Sequence, residues 1–214
     1  MSTFAQVGKR GVDLLLAGAG LVLLSPVLAA IALAVKLDSP GPVFFRQERV
    51  GRHGVPFRIH KFRTMHADAS RRGPEITVGR DARITRVGAA LRRTKLDELA
   101  QLIDVVQGTM SLVGPRPEVP RYAALWPRAS ADKVLSVRPG ITDIASIEFR
   151  SESELLARAS DPEREYREVV LPQKLRLAER YVDEASLSLD LRLILRTLAA
   201  LLPARRGGDS HAHR

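Results

Sequence analysis

Hydrophobic positions fall in one long run near the start of the chain and in shorter periodic stretches after it. From Leu14 to Val35 the sequence reads LLLAGAGLVLLSPVLAAIALAV, 22 residues without a charge, which meets the roughly 20 that a bilayer-spanning helix needs. A cleaved signal sequence fits poorly, because the run exceeds the usual ~7–15 apolar residues of such a segment and shows no polar cleavage region. Ser25-Pro26 interrupts the run near its middle, where proline removes a helical hydrogen bond and clashes with the preceding turn. Two topologies follow, a bent single pass and a helix-break-helix that enters and leaves on one face. Lys9 and Arg10 precede the run and Lys36 follows it; positive flanks prefer the cytoplasm, so this symmetry favours the re-entrant form. Asp13, at the mouth of the run, is expected to pair with Arg10 one turn earlier.

Beyond the loop DSPGP, the segments Val43 to Val50 and Val55 to Met65 flank Gly51-Arg52-His53-Gly54, a hairpin signal. Alternation in the second segment puts Lys61 and Arg63 on one face, either as two cations projecting together or as a solvated strand face. Ile84, Val87 and Leu91 repeat at helical spacing, which predicts a helix over 82–93 with Arg83, Arg86, Arg92 and Arg93 on its polar side. A second helix is predicted from Thr94 as N-cap to Gly108 as stop, burying Leu96, Leu99, Ile103 and Val106. VGPRPEVP (113–120) and VRPGIT (137–142) read as rigid loops. Ser160-Asp-Pro-Glu163 reads as a capping box opening a helix bent or divided at Pro172. The last apolar stretch, Leu187 to Leu202, is interrupted by Asp190, Arg192 and Arg196, and is expected to pack on the core or lie at a membrane interface. The tail 204–214 is polar and expected to be disordered, with His211 and His213 too isolated to form a metal site.

The pattern therefore predicts an α+β, mainly helical single domain with a small β-hairpin. Its parts are an N-terminal membrane helix (1–37), a catalytic portion (38–203) that includes amphipathic interfacial helices, and the tail. Composition narrows the partners. A formal charge of +10 and a pI near 10.7 call for something anionic, but only 5% of residues are aromatic and they do not interleave with the basic runs, which argues against nucleic acid. There is no cysteine, so disulfides, thiolate metal sites and cysteine nucleophiles are excluded together.

Candidate chemistry centres on Asp97 and Glu98, preceded by Arg92, Arg93 and Lys95 and followed by Arg116 between two prolines. Adjacent acids in a helix's first turn can be no more than dipole-stabilised caps. Ringed by guanidinium groups, they also suit an anionic substrate. A carboxylate can attack phosphorus to give an acyl phosphate, splitting one difficult transfer into two easier steps, provided cations offset the phosphoryl charge. Arg92, Arg116, Arg138 and Lys61 are the candidate cations, and Glu98 is a candidate oxygen donor to Mg²⁺. No P-loop, Rossmann glycine pattern, HExxH or GxSxG occurs.

Several blocks in order carry a resemblance: the Ser25-Pro26 break, SPGPVFFRQERVG (39–51), KFRTM (61–65), LDELAQL (96–102), GTMSLVGPRPE (108–118) and RPGIT (138–142). On these the chain, from Lys9 to Leu202, resembles the bacterial sugar transferases called monotopic phosphoglycosyl transferases, in their minimal catalytic form. The resemblance implies that Asp97 attacks the β-phosphate of a uridine-linked nucleotide-diphosphate sugar and that polyprenyl phosphate then accepts the sugar phosphate. It further implies that Glu98 supports Asp97 and Mg²⁺, that Arg92 and Arg116 hold phosphates, and that the membrane helix is re-entrant. The expected setting is the cytoplasmic face of a bacterial inner membrane, in contact with its lipid, in glycoconjugate or exopolysaccharide synthesis. Two departures stand out. Ala100 replaces a common proline, and Asp143-Ile144-Ala145-Ser146 replaces a common glycine-aromatic pair in a loop suited to sugar contacts. Sugar identity and oligomeric state, a homodimer included, stay open, and the alternative function is a catalytically silent membrane scaffold whose basic surface binds anionic lipid.

Overall fold

Proline at the head of the second half of the apolar run decides how the chain begins. In the computed structural model, which describes residues 3–69, 76–79 and 81–201, helix α1 (Thr3–Leu23) gives way at Leu24 to α2 (Ser25–Asp38). Pro26 occupies the first turn of α2, where its missing N–H costs nothing, and Ser25 Oγ donates back to the Val22 carbonyl at 2.8 Å. No single helix among the described residues is long and apolar enough to cross a membrane. Val7–Leu23 and Ser25–Asp38, bent by 63°, meet that measure only as a pair.

The expected hairpin follows. Strands β1 (Phe44–Val50) and β2 (Pro56–Phe62) pair antiparallel with Phe44 opposite Phe62 and Val50 opposite Pro56, around a short 3-10 turn, Arg52–Gly54. Beyond them come α3 (Arg86–Thr94), a 3-10 segment (Leu96–Gln101) and α4 (Leu102–Gln107). Strands β3 (Ser111–Val113) and β4 (Gly140–Thr142) form a short parallel pair, the first ending where one segment read as a loop begins and the second lying within the other. Short helices α5 (Pro120–Ala123), α6 (Arg128–Val134), α7 (Ile144–Glu148), α8 (Glu152–Leu156) and α9 (Pro162–Glu165) lead through a π-turn (Tyr166–Val170) into α10 (Leu171–Glu184) and α11 (Leu187–Leu201). The architecture is mainly helical with a small antiparallel sheet.

Two apolar clusters fasten the bent pair to the rest. Ala17 of α1 packs with Ile59, Leu102, Val105 and Met110, and Ile31 and Val35 of α2 pack with Phe62, Leu91 and Ala100. The opposite sides of these helices stay apolar and exposed, as at Leu15 and Leu23.

Several local expectations are corrected. Helix α3 starts four residues after the predicted 82, because the Thr85 side chain takes the Gly88 N–H as N-cap, while Arg83 turns to Asp81. Thr94 is not an N-cap. It ends α3, its hydroxyl donating to Ala90 and Leu91 carbonyls, and Lys95 takes a left-handed conformation (φ 58°). The tighter 3-10 winding that follows rotates the buried face, so Ala100, Gln101, Leu102, Asp104 and Val105 are buried and Val106 is exposed. Asp161, not Ser160, caps α9, and the division expected at Pro172 falls just before it, at the π-turn. Asp13 takes hydrogen bonds from Ser111 Oγ (2.8 Å) and the Leu112 N–H (3.1 Å) instead of pairing with Arg10, whose guanidinium reaches the carbonyls of Val106 and Met110. The tail, with His211 and His213, lies outside the described residues.

Candidate active site

The 3-10 segment lies against β2, so the left-handed turn at Lys95 brings Asp97 and Glu98 over Lys61 of the hairpin. Glu98 is fully committed there. Its carboxylate takes a two-pronged contact from Arg116, with Nη1 at 3.0 Å from Oε2 and Nη2 on Oε1, and a third bond from Lys61 Nζ at 3.1 Å. Burial alone would raise the Glu98 carboxyl, but the charges of Arg116 and Lys61 outweigh it and hold the group well below the usual carboxylate range. The same pairing raises Arg116 against the cost of its own burial. Lys61 moves the other way, because desolvation exceeds the pull of Glu98 and brings its ammonium down to about 8.

Asp97 is the contrast. It is 8% exposed, and its Oδ1 is buried without a hydrogen-bond partner. Burial first, and the neighbouring Glu98 charge second, raise its carboxyl, against Lys61, Arg92 and Lys95. A mere helix cap would spend its oxygens on main-chain N–H groups, and Oδ1 does not. Arg92 approaches from α3, tethered by Nε to Thr64 Oγ1 (2.9 Å) and by Nη1 to Thr77 Oγ1 (3.1 Å). Burial lowers its guanidinium, and the Asp97 charge is the main influence raising it. The site thus holds one carboxylate fixed in a cage of cations and one, beside it, with an oxygen free.

The loop carrying Arg116 is braced by residues that sequence reasoning missed. The Arg116 N–H donates to Asp143 Oδ2 (3.3 Å), and Asp143 Oδ1 takes the Ser146 N–H (2.7 Å) as N-cap of α7. The departure at 143–146 therefore begins with a support for Arg116. Arg49 of β1 donates to the Pro117 carbonyl (3.0 Å) and stands 3.8 Å from Glu118. Glu118 Oε2 accepts from Tyr166 OH at 2.6 Å. Arg49 lies in SPGPVFFRQERVG and Glu118 ends GTMSLVGPRPE, so block position was a signal for both. Asp143 was marked only as the start of a departure in a loop suited to sugar contacts, and Tyr166 had no signal.

Of the candidate cations, Lys61, Arg92 and Arg116 converge on the carboxylates, and two do not. Arg63 follows the last residue of β2 and turns beneath α2, where it donates to the carbonyls of Val35 (3.2 Å), Ser39 (2.7 Å) and Pro40 (2.5 Å). Arg138 donates to the Gly108 carbonyl at 2.9 Å, and its charged neighbours are Arg10, Arg52 and Asp13. No group of three or more His, Cys, Asp or Glu side chains suited to a metal occurs among the described residues. Both Glu98 oxygens are taken, so the protein offers a cation chiefly the free oxygen of Asp97, a donor set that fits Mg²⁺ only when phosphates and water supply the other ligands.

Residues 4–204 match the family model described as bacterial sugar transferase. The chain is 38% identical over 208 residues to a UDP-glucose:undecaprenyl-phosphate glucose-1-phosphate transferase of Caulobacter vibrioides, covering 91% of this chain and 69% of that protein. A protein of the same name from Escherichia coli is 38% identical over 193 residues, and the match spans 89% of this chain but 39% of that longer protein. The exopolysaccharide production protein PSS of Rhizobium leguminosarum is 36% identical over 210 residues, 93% of this chain and 97% of its own. Motif order, the caged carboxylate pair and these matches agree, and the chain belongs to the bacterial sugar transferase family.

Proposed function

We propose that the protein transfers a sugar phosphate from a uridine-diphosphate sugar to polyprenyl phosphate through a covalent aspartyl intermediate, initiating glycoconjugate or exopolysaccharide synthesis. One observation carries the reading: Asp97 keeps a desolvated, unpaired oxygen next to a carboxylate whose negative charge is already cancelled. A desolvated carboxylate is a stronger nucleophile than a hydrated one, and the surrounding cations let it approach a diphosphate. The names of the Escherichia coli and Caulobacter vibrioides relatives, which pair UDP-glucose with undecaprenyl phosphate, support the substrate classes.

In the first step an Asp97 oxygen attacks the β-phosphorus, the bridging P–O bond breaks, and uridine monophosphate leaves with the bond electrons. In the second a phosphate oxygen of the polyprenyl phosphate attacks the same phosphorus and Asp97 departs as carboxylate. Arg116, Arg92 and Lys61 hold phosphoryl oxygens, with Glu98 locking Arg116 and Lys61 in place; Arg63 and Arg138 take no part in this centre. Mg²⁺, for which Asp97 would be the protein's ligand beside the diphosphate and water because both Glu98 oxygens are engaged, would supply further neutralisation of phosphoryl charge.

The bent α1–α2 pair serves as a re-entrant anchor, with both ends at the cytoplasmic face. Its exposed leucines meet lipid. Leu187, Leu191, Leu195 and Leu198 of α11 are all exposed and recur along one side of the helix, as for a helix lying in the membrane surface. Asp97→Asn tests the mechanism. It abolishes uridine monophosphate release from UDP-sugars in the presence of polyprenyl phosphate, and no labelled sugar phosphate is trapped on the protein. Full activity in this variant would overturn the assignment, and loss of every activity in wild type with lipid binding intact would favour the silent scaffold.

A further inference from the structure

Three arginines gather at the far end of α4 from the active site. The 3-10 segment and α4 separate Asp97 from Gly108 by about 20 Å, at ~2.0 and ~1.5 Å per residue. Arg138 donates to the Gly108 carbonyl (2.9 Å), Arg10 to the Val106 and Met110 carbonyls (3.4 and 3.5 Å), and Arg52 to the Ser136 carbonyl (2.9 Å). The hairpin turn is docked beside them by the His53 N–H on the Leu135 carbonyl at 2.7 Å. Main-chain carbonyls aim all three guanidinium groups, yet none forms an ion pair among the described residues, whereas Arg49, Arg83, Arg116 and Arg121 each have an acidic partner. Asp13, the acid whose charge acts on Arg138, is buried and engaged by Ser111 and Leu112. Burial and the charges of Arg10 and Arg52 lower the Arg138 guanidinium, as expected where positive charge is left uncompensated.

The place of this cluster says which anion it suits. Arg10 stands one turn before Leu14 and Leu15 on α1, which are 41% and 71% exposed, and Val55, in the same tight turn as Arg52, is 62% exposed. Guanidinium groups at the margin of an apolar belt sit where lipid phosphates lie. From the unpaired Arg10–Arg52–Arg138 cluster beside the exposed start of α1, we infer that the protein carries a second phosphate site, outside the catalytic centre, for the headgroup of an anionic phospholipid. This inference rests on the membrane-anchored reading, not on the aspartyl chemistry. It also gives Arg138 a role that its distance from Asp97 denies it in catalysis.

The chain lacks cysteine, so Val55→Cys provides a unique label beside the site in the whole chain. Reconstituted in phosphatidylcholine vesicles containing acyl-brominated phosphatidylglycerol or acyl-brominated phosphatidylcholine, the label is quenched preferentially by the anionic lipid, and added salt weakens the preference. Arg52→Gln with Arg138→Gln lowers that preference by about fivefold for each arginine removed. Arg52→Lys with Arg138→Lys restores most of it, which a merely misfolded variant would not allow. Equal quenching by both lipids, an unchanged preference in the glutamine variant, or loss of preference on adding inorganic phosphate alone would each overturn the lipid site. Absence of quenching by any lipid overturns it along with the membrane placement. Uridine monophosphate release, assayed on the same vesicles, reports separately on the catalytic reading.

Discussion

Replacing Arg116 by lysine keeps the charge beside Glu98 and removes the fork. The native guanidinium makes two bonds to the carboxylate, and an ammonium can make one in that direction. A hydrogen bond to a charged group contributes about 1.5–3 kcal/mol. Glu98 keeps Lys61 at 3.1 Å, so no buried charge is left unpaired and the loss is confined to one bond, about 2 kcal/mol. For a chain of this size that lowers the melting temperature by about 4–8 °C. The catalytic loss is larger, because in the proposed mechanism this guanidinium holds a phosphate, and removing such a donor costs about 100-fold or more. Thermal unfolding of the detergent-solubilised protein and uridine monophosphate release measure the two effects separately. If Arg116→Lys melts with wild type and turns over within a factor of two of it, the fork is neither a structural clamp nor a phosphate holder, and the argument for unequal roles of Asp97 and Glu98 fails.

Other outcomes follow from neighbouring contacts. Activity falls as pH rises through about 8, where Lys61 loses its proton, and falls on the acid side above the usual carboxylate range, because Asp97 is raised and the proposed mechanism needs it ionised. Lys61→Arg removes the alkaline limb, since arginine does not titrate there. Stability has the opposite sign on that side: the folded Lys61 releases its proton at about 8 and the unfolded lysine at 10.5, so the cost of burying the ammonium is relieved as pH climbs between them. Tyr166→Phe strips the 2.6 Å donor from buried Glu118, which destabilises by about 2 kcal/mol and slows turnover by loosening the Arg116 loop. Gly114→Ala drives a methyl group into the Arg138 carbonyl and lowers the melting temperature by several degrees, at about 1–3 kcal/mol of overpacking.

Local signals were legible and long-range ones were not. The break at Ser25-Pro26 and the hairpin around Gly51 and Gly54 each depend on a few adjacent residues, and both appear where the pattern put them. Lys61 and Arg63 show where a local rule expires. Alternation holds to the end of β2 at Phe62, and the next residue leaves the strand and goes beneath α2. The misplaced buried face of 96–106 comes from the 3-10 winding of 96–101 that follows a lysine in the left-handed conformation at 95, and no residue preference announces that lysine. Carboxylates, lysine and arginines were readable as a group, but the inequality of Asp97 and Glu98 depends on which oxygens are occupied. The brace through Tyr166 and Glu118 joins residues 48 apart, a pairing that only the folded chain creates.

Gly114 and Gly140 touch backbone to backbone with no side chain between them, and the Gly114 N–H on the Thr142 carbonyl (3.1 Å) and the Gly140 N–H on the Pro115 carbonyl (3.0 Å) close the contact. Arg116 stands two residues after one glycine and Arg138 two residues before the other. Both arginines are therefore mounted on a single stiff piece of main chain. Their separation can change quickly only through side-chain torsions, on the picosecond-to-nanosecond scale, whereas any slower, larger excursion requires local opening of β3 from β4. Slow hydrogen exchange at the amides of Gly114 and Gly140 would be the signature of that stiffness, and it sets a floor on how independently the two ends of the molecule can move.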